Sequence, residues 1–367
     1  MTANLASTPL GEQARAFALL HQGQPTRPFV ANLDAAVDRV DAGPYAFPTT
    51  LASPAERNAW VVSPATTYGR YAVEESERLA PAWARPPLRA ATDWATREMQ
   101  ATGLGRAVSV NNWLVSTNLY PPMDAPVVDA LRDCCIARWP NSAIWFRSLN
   151  RVQHGPWLDA LVAAGFQLIP TRQVYLFPDL NANRSSNLKR DLALMRKTAL
   201  RPVAHPEFQP ADFVRSERLY AQLYLEKYST LNPAYTAEFL RTWHHAGLLH
   251  MAGWRDANGQ LQAVLGLFTQ GDVSTAPIVG YNTDLSPTLG LYRLLMAQAF
   301  RHAIQSRTVL NLSAGAGSFK RLRGGVPAIE YSAVYARHLP LRSRRFLGTL
   351  QAVTRGFGVP LMKWMKL

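Results

Sequence analysis

The stretch from Leu248 to Asn282 leaves the chain the least freedom. Three runs of strand-forming residues, LLHMAGWRD, QLQAVLGLFTQ and VSTAPIVGYN, are parted by Asn258-Gly259 and by Gly271-Asp272. Both dipeptides accept the positive φ that tight hairpin turns require, so the three runs pair as an antiparallel meander. Two helical patterns precede it, DFVRSERLYAQLYLEKYS and AEFLRTWHHAG, and a third follows, TLGLYRLLMAQAFRHAIQS. Then come the strand and loop TVLNLSAGAG, the short helix or turn SFKRLRGG, and the strand AIEYSAVYARHLP.

The first half has a related order. NAWVVSP reads as strand-like, TYGRYAVEE follows, and an irregular proline-rich stretch lies around Pro81 to Pro87. RAVSVNNWLVSTNLY is a strong strand pattern, and PVVDALRDCCIARW is a helix with Pro126 near its first turn. The strand AIWFRSLN, the helix GPWLDALVAAGF and the strand LIPTRQVYLF complete the half. Both halves thus end on strand, helix, strand, short helix, strand, which predicts two copies of one α/β unit despite negligible sequence identity. The 367 residues, 48% of them apolar, allow two cores.

These patterns divide the chain into an N-terminal arm (1–30), a first unit (31–180), a basic linker (181–204), a second unit (205–340) and a basic amphipathic tail (341–367). The arm ends in HQGQPTRP and is expected to be loosely held. The linker carries the sharpest composition shift, DLNANRSSNLKRDLALMRKTALRPVAH. From Arg337 to Leu367 there are seven Lys and Arg and no acid, interleaved with Phe346, Leu350, Phe357, Leu361 and Trp364. Such a segment suits an anionic membrane surface or RNA, or a helix packed on the body with its basic face in water.

The formal net charge of +14 favours an anionic partner without choosing one. No apolar run approaches the ~20 residues of a membrane span, and the first residues lack the pattern of a secretion signal. The chain is therefore expected in the cytoplasm, with the tail as a candidate for peripheral contact at the inner membrane face. Cys134 and Cys135 are adjacent in a helix, read as buried thiols, and form no ligand pair. His244, His245 and His250 lack the spacing that sets two imidazoles on one helical face, so no metal site is expected. No Gly-x-Ser-x-Gly elbow occurs, which leaves Ser313 and Ser318 as loop residues.

The segments Tyr281 to Gly290 (YNTDLSPTLG) and Asn311 to Gly325 (NLSAGAGSFKRLRGG) carry a family likeness. A Ser-Pro-x-x-Gly turn before the central helix, then a strand ending in a small-residue loop and an aromatic-Lys-Arg helix, resembles tandem GNAT-type acyltransferases of the FemABX-like, peptidoglycan-biosynthesis-related branch. The likeness covers about residues 205–340 by motif and 58–178 by element order alone. It implies an α/β fold, layered as α+β, of two tandem GNAT-like domains, each a mixed, mostly antiparallel sheet flanked by helices. The main site is placed in the second domain, and the first is a degenerate copy. The chain departs from the usual Gln/Arg-x-x-Gly-x-Gly signature of the superfamily.

The resemblance implies an N-acyltransferase that moves an acyl or aminoacyl group to an amine by direct attack. No cofactor is held permanently. Acyl-CoA, an acyl carrier protein thioester or aminoacyl-tRNA serves as co-substrate, so a tRNA or a carrier protein is a candidate partner. The competing class is a catalytically inactive GNAT-like protein that holds membrane or RNA with its basic surface.

Candidate donor-binding residues are Ser286, Gly290 and Arg293 at the helix start, with Gly315, Phe319 and Arg321 in the later loop and helix. Phe319 is expected to stack on an adenine or pack beneath it. Lys320, with backbone amides beside Val279 and Gly280, is the candidate for stabilising the oxyanion. Tyr281 and Glu226 are candidate bases, with Glu330 and Tyr331 as further possibilities on opposite faces of one strand, and Asn311 is kept as a hydrogen-bond donor. Arg147, Arg151, Arg172 and Gln173 stand among apolar strand residues, where arginines bind phosphate or pair with acids of the other half.

Overall fold

The computed structural model describes residues 9–43, 45–53, 58–77, 82–122 and 125–364. Eleven strands form one continuous sheet: β1 (Ala35–Ala42), β2 (Tyr45–Ala52), β3 (Ala107–Val110), β4 (Ala143–Asn150), β5 (Gln167–Phe177), β6 (Arg201–Val203), β7 (His250–Arg255), β8 (Leu261–Gln270), β9 (Val273–Tyr281), β10 (Val309–Asn311) and β11 (Val326–Tyr335). Their spatial order is β1-β2-β3-β4-β11-β5-β10-β9-β8-β7-β6. The predicted meander is β7-β8-β9, with Gly259 (φ 79°) and Gly271 (φ 54°) at its turns.

Every neighbouring pair is antiparallel except β3 with β4 and β10 with β9. Those two parallel pairs occupy matching places on either side of the central β11–β5 pair, so the expected duplication is real at the level of backbone. Two residues past the last parallel pair of each, Ser148 (φ 66°) and Ser313 (φ 57°) adopt the left-handed conformation. The halves nevertheless interlock. β11 of the second half sits against β4 of the first, and β5 of the first sits against β10 of the second. β11 and β5 themselves pair from Val326↔Leu176 to Val334↔Gln167. A cut near residue 180 therefore leaves each half of the sheet without a strand that the other supplies.

Helices cover both faces. In the first half these are α1 (Pro9–His21), α2 (Pro64–Tyr68), α3 (Arg70–Glu77), α4 (Arg85–Ala101), α5 (Ala125–Arg138) and α6 (Arg151–Ala163). The second half adds α7 (Ser186–Lys197), α8 (Pro210–Ala221), α9 (Ala237–His245), α10 (Leu291–Ser306), α11 (Gly317–Arg321), α12 (Leu341–Val353) and α13 (Val359–Trp364). A core containing Trp60, Trp113, Tyr235, Trp243 and Phe268 joins residues of both halves. α8 rides directly on β9: a Cβ added at Gly280 would lie 2.6 Å from the Tyr220 backbone nitrogen, so only glycine permits this approach.

Several expectations need correction. The described part of the arm is not loose, because α1 sends Phe17 into the shared core against Trp113 (ring centroids 5.3 Å), and burying one such ring is worth about 1.5–3 kcal/mol. The linker is helix α7, capped by Ser185 and packed on α10, with Leu188 and Asp191 buried. NAWVVSP forms a buried turn leading into α2 rather than a strand. The proline-rich stretch opens α4, since Pro86 and Pro87 lie in the first turn, where no intrahelical N–H is needed. β3 is only Ala107–Val110 of the longer run assigned as strand. Cys134 is exposed, and only Cys135 is buried. In the tail, α12 buries Phe346, Leu347 and Leu350, while Phe357 beyond it is 78% exposed; residues 365–367 lie outside the described chain. Among the described residues no helix is long and apolar enough to cross a membrane.

Candidate functional site

β9 and β10 pair only at Val273↔Val309, Ser274↔Leu310 and Thr275↔Asn311. Beyond Asn311 the chain turns away through Ser313, whereas β9 continues to Tyr281, held on its other side by β8. From Ala276 onward β9 therefore has no partner where β10 would lie, and along an antiparallel pair alternate backbone N–H groups point away from the partner. α10 starts at this carboxyl end of β9. Its cap is Gly290, left-handed at φ 64°, and no side chain bonds the first-turn amides. Those N–H groups and the helix dipole make an anion seat.

Arg293, one turn into α10, donates Nε to Asp191 Oδ1 at 2.7 Å, and its side chain remains 43% exposed. Arg323 bonds the other oxygen of Asp191, and both of these groups are buried. Two guanidiniums on one carboxylate leave a positive excess beside the helix start. Arg323 also lies 3.3 Å over the Phe319 ring, whose edge meets Tyr292 at 4.9 Å. Tyr292 in turn is 6.3 Å from Tyr281. Phe319 thus packs between Tyr292 and Arg323 and stays partly exposed. The line Phe319–Tyr292–Tyr281 spans the mouth where the strands part.

Burial raises the phenol pKa values of Tyr281, Tyr292 and Tyr224, and neighbouring phenols push in the same direction. At neutral pH these hydroxyls donate hydrogen bonds; they do not take protons, so Tyr281 is a poor base.

Lys320 is 3% exposed. Its Nζ donates to three carbonyls, Leu312 O at 2.6 Å, Ala314 O at 2.8 Å and Ser313 O at 3.2 Å. An ammonium has three donors, and all are engaged, so Lys320 is a clamp on the β10–α11 loop and has no hydrogen left for an oxyanion. Burial, with Arg172 nearby, lowers its pKa to about 7.

Asn311 is likewise structural: Nδ2 donates to Gln153 Oε1 at 2.9 Å, and Oδ1 accepts from Ser313 N at 2.9 Å. Glu226 pairs with Arg218 on the surface, at the end of a segment, Gln222–Glu226, that packs on β9. Ser286 caps the short turn Pro287–Leu289. Gly315 (φ 78°) lies in an open loop, and Arg321 donates to the Tyr175 hydroxyl. Of the expected residues, the structure gathers Tyr281, Gly290, Arg293 and Phe319 at one mouth. Tyr292, Asp191 and Arg323 belong to it as well and carried no local signal, because their meeting depends on α7 packing against α10. Arg172 pairs with Glu330 across the halves, as its position among apolar residues implied.

Comparison with known proteins agrees with this geometry. Residues 183–321, from just before α7 to the end of α11, match the family model described as an acetyltransferase (GNAT) domain. A search of curated proteins finds no match. The fold is similar to that of FemX, with TM-score 0.52 and 10% identity over 95% of this chain and 96% of that one. A C-terminal domain of a putative lysylphosphatidylglycerol synthetase from Agrobacterium fabrum aligns at TM-score 0.48 and 14% identity, over 68% of this chain and 83% of that one. Residues 183–321 thus carry the match to an acetyltransferase (GNAT) domain, and the fold of the whole chain is similar to that of FemX.

Proposed function

We propose that the chain moves an acyl or aminoacyl group from an activated donor to an amine by direct attack, with the parted end of β9 and the start of α10 as the reaction site. The observation that carries this reading is the unpaired edge of β9 beyond Thr275, lying at the carboxyl end from which the uncapped helix α10 departs. A donor phosphate sits on the first-turn amides beside Arg293. The donor carbonyl accepts from the β9 amide, at Val279 or Gly280, that points away from β8. The amine nitrogen forms a bond to the carbonyl carbon, the donor C–S or C–O bond breaks, and the leaving group departs as thiol or hydroxyl. The proton lost by nitrogen reaches the leaving group through water, since Lys320 and Asn311 are bonded within the fold and Glu226 is paired with Arg218. No covalent enzyme intermediate is involved.

Acyl-CoA, an acyl carrier protein thioester and aminoacyl-tRNA all carry phosphate as well as an activated carbonyl, and the +14 charge favours each of them. Thermal-shift titration with acetyl-CoA, longer acyl-CoAs, acylated carrier protein and bulk aminoacyl-tRNA separates them. A donor at a hundred times its Kd stabilises the fold by about 2.7 kcal/mol. A shift with one class that Arg293→Gln weakens identifies the donor. No shift with any class overturns the proposal.

A further inference from the structure

The first half parts its strands as the second does, and the reading above makes no use of that opening. β3 and β4 pair from Ala107↔Ala143 to Val110↔Phe146, and the next residue of β4, Arg147, lies in the interior at 8% exposure. Its Nη1 donates to the Val61 carbonyl and, at 3.2 Å, to Asn112 Oδ1. Among the described residues no carboxylate pairs with it, and its Nε and Nη2 have no hydrogen-bond acceptor. Arg172 of β5, 16% exposed, holds Glu330 through Nε (2.7 Å) and Nη2 (3.2 Å), and Nη2 also donates to Ser116 O and Thr117 Oγ1. Both guanidiniums stand 5.0 Å from the centre of the Trp60 ring.

The titratable groups facing Arg147 are Arg172, Glu330, Tyr68, Tyr120 and Tyr235. Tyr120 donates to the Arg147 carbonyl, and Tyr235 donates to Leu114 O at 2.9 Å, so neither phenol supplies a negative charge. Burial lowers the Arg147 pKa to about 10, which leaves it charged at neutral pH. The interior thus holds two guanidiniums and one carboxylate, which bonds Arg172 alone, and a buried cation with free donors is costly unless an anion completes it.

We propose that this opening binds an oxyanion, a carboxylate or phosphate group of the amine acceptor, between Arg147 and Arg172. A guanidinium fork suits such a group, because two parallel N–H donors match its two oxygens. The opening occupies the place in the first half that the reaction site occupies in the second, with β11 and β5 between them in the sheet. Donor phosphate and acceptor anion are therefore held by separate cations, Arg293 for one and Arg147 with Arg172 for the other. Assignment of the anion to the acceptor rests on the transfer reading; anion binding itself does not.

Calorimetric titration of the full chain with inorganic phosphate, and separately with acetate, at low ionic strength tests this. Arg147→Gln weakens binding about tenfold or more, as expected for loss of a charge-assisted hydrogen bond. Glu330→Gln removes the carboxylate that competes for Arg172, so it tightens binding, a gain that misfolding cannot produce. Arg293→Gln leaves this binding event in place and removes only phosphate seated on α10. Acetate binding alongside phosphate identifies a site that admits carboxylates, and phosphate alone identifies a phosphorylated acceptor. No binding of either anion, unchanged binding in Arg147→Gln, or unchanged or weaker binding in Glu330→Gln overturns the proposal. If the anion binds through Arg147 while every donor fails to shift the melting point, the anion site stands and the transfer reading falls.

Discussion

Replacing Lys320 with Met separates two roles that the same residue has in sequence and in structure. The ammonium is buried and clamps the carbonyls of Leu312, Ser313 and Ala314 at 2.6, 3.2 and 2.8 Å. Methionine keeps the length and removes all three donors. The two shorter bonds, at about 1.5 kcal/mol each for a charged donor, set a loss of about 3 kcal/mol; the third is weaker and offsets part of the desolvation relieved when the charge goes. Unfolding entropy of about 2.1 cal/mol/K per residue gives about 0.77 kcal/mol/K over 367 residues, so a cooperative transition moves down by about 4 °C. The assay is a melting curve together with steady-state turnover on the donor identified by titration. A clamp predicts that melting point and turnover fall together and that amide exchange across residues 312–316 accelerates. An oxyanion role predicts a loss of about 10²–10³-fold in turnover at an unchanged melting point. That second result would refute the assignment of Lys320 to the loop.

Asp191→Asn strands the buried Arg323 and should cost about 3–5 kcal/mol, whereas Arg293→Gln, on the exposed arm of the same ion pair, should cost no more than about 1 kcal/mol while weakening donor binding; equal urea midpoints for the two would show that burial does not decide the difference. Burial lowers the pKa values of His21, His154 and His250 to about 4, below the ordinary 6.5. The folded state therefore binds fewer protons than the unfolded one between those values, and the stability present above pH 6.5 is lost as pH falls toward 4. His21 and His154 each account for up to about 3 kcal/mol of that loss, so urea midpoints of His154→Gln should fall less steeply from pH 6.5 to 4 than those of the parent, and parallel curves would contradict this.

What the sequence revealed of the fold was its local chemistry. The turns at Gly259 and Gly271 are set by two residues each, and β7, β8 and β9 follow from them. The hairpin β1–β2 carries a weaker local signal, since Pro48 stands inside its second strand. α4 was hidden by prolines that a first helical turn accepts, and α7 by a basic composition whose single buried acid, Asp191, has its partners about 100 residues or more away. The candidate site divides the same way. Gly290 and Arg293 were legible from the helix start they flank. The actual roles of Lys320 and Asn311 depend on where the following loop turns back, which no spacing rule encodes.

The exchange of β5 and β11 explains why the two openings belong to one molecule rather than to two linked domains. β10, which borders the reaction site, has β5 as its outer neighbour, so the first half completes the second half's site wall. β11 lies against β4, and it brings Glu330 to Arg172 beside Arg147, so the second half sets the charge of the first half's opening. A single pair of central strands thus fixes the separation between the proposed seat for donor phosphate and the proposed seat for the acceptor anion. Under the proposed direct transfer this matters, because amine and carbonyl must be present together and correctly oriented, and the gain from holding both in place is lost if either seat shifts relative to the other. Two domains on a flexible linker would leave that distance free. Interlocked strands hold it through the hydrogen bonds of the sheet.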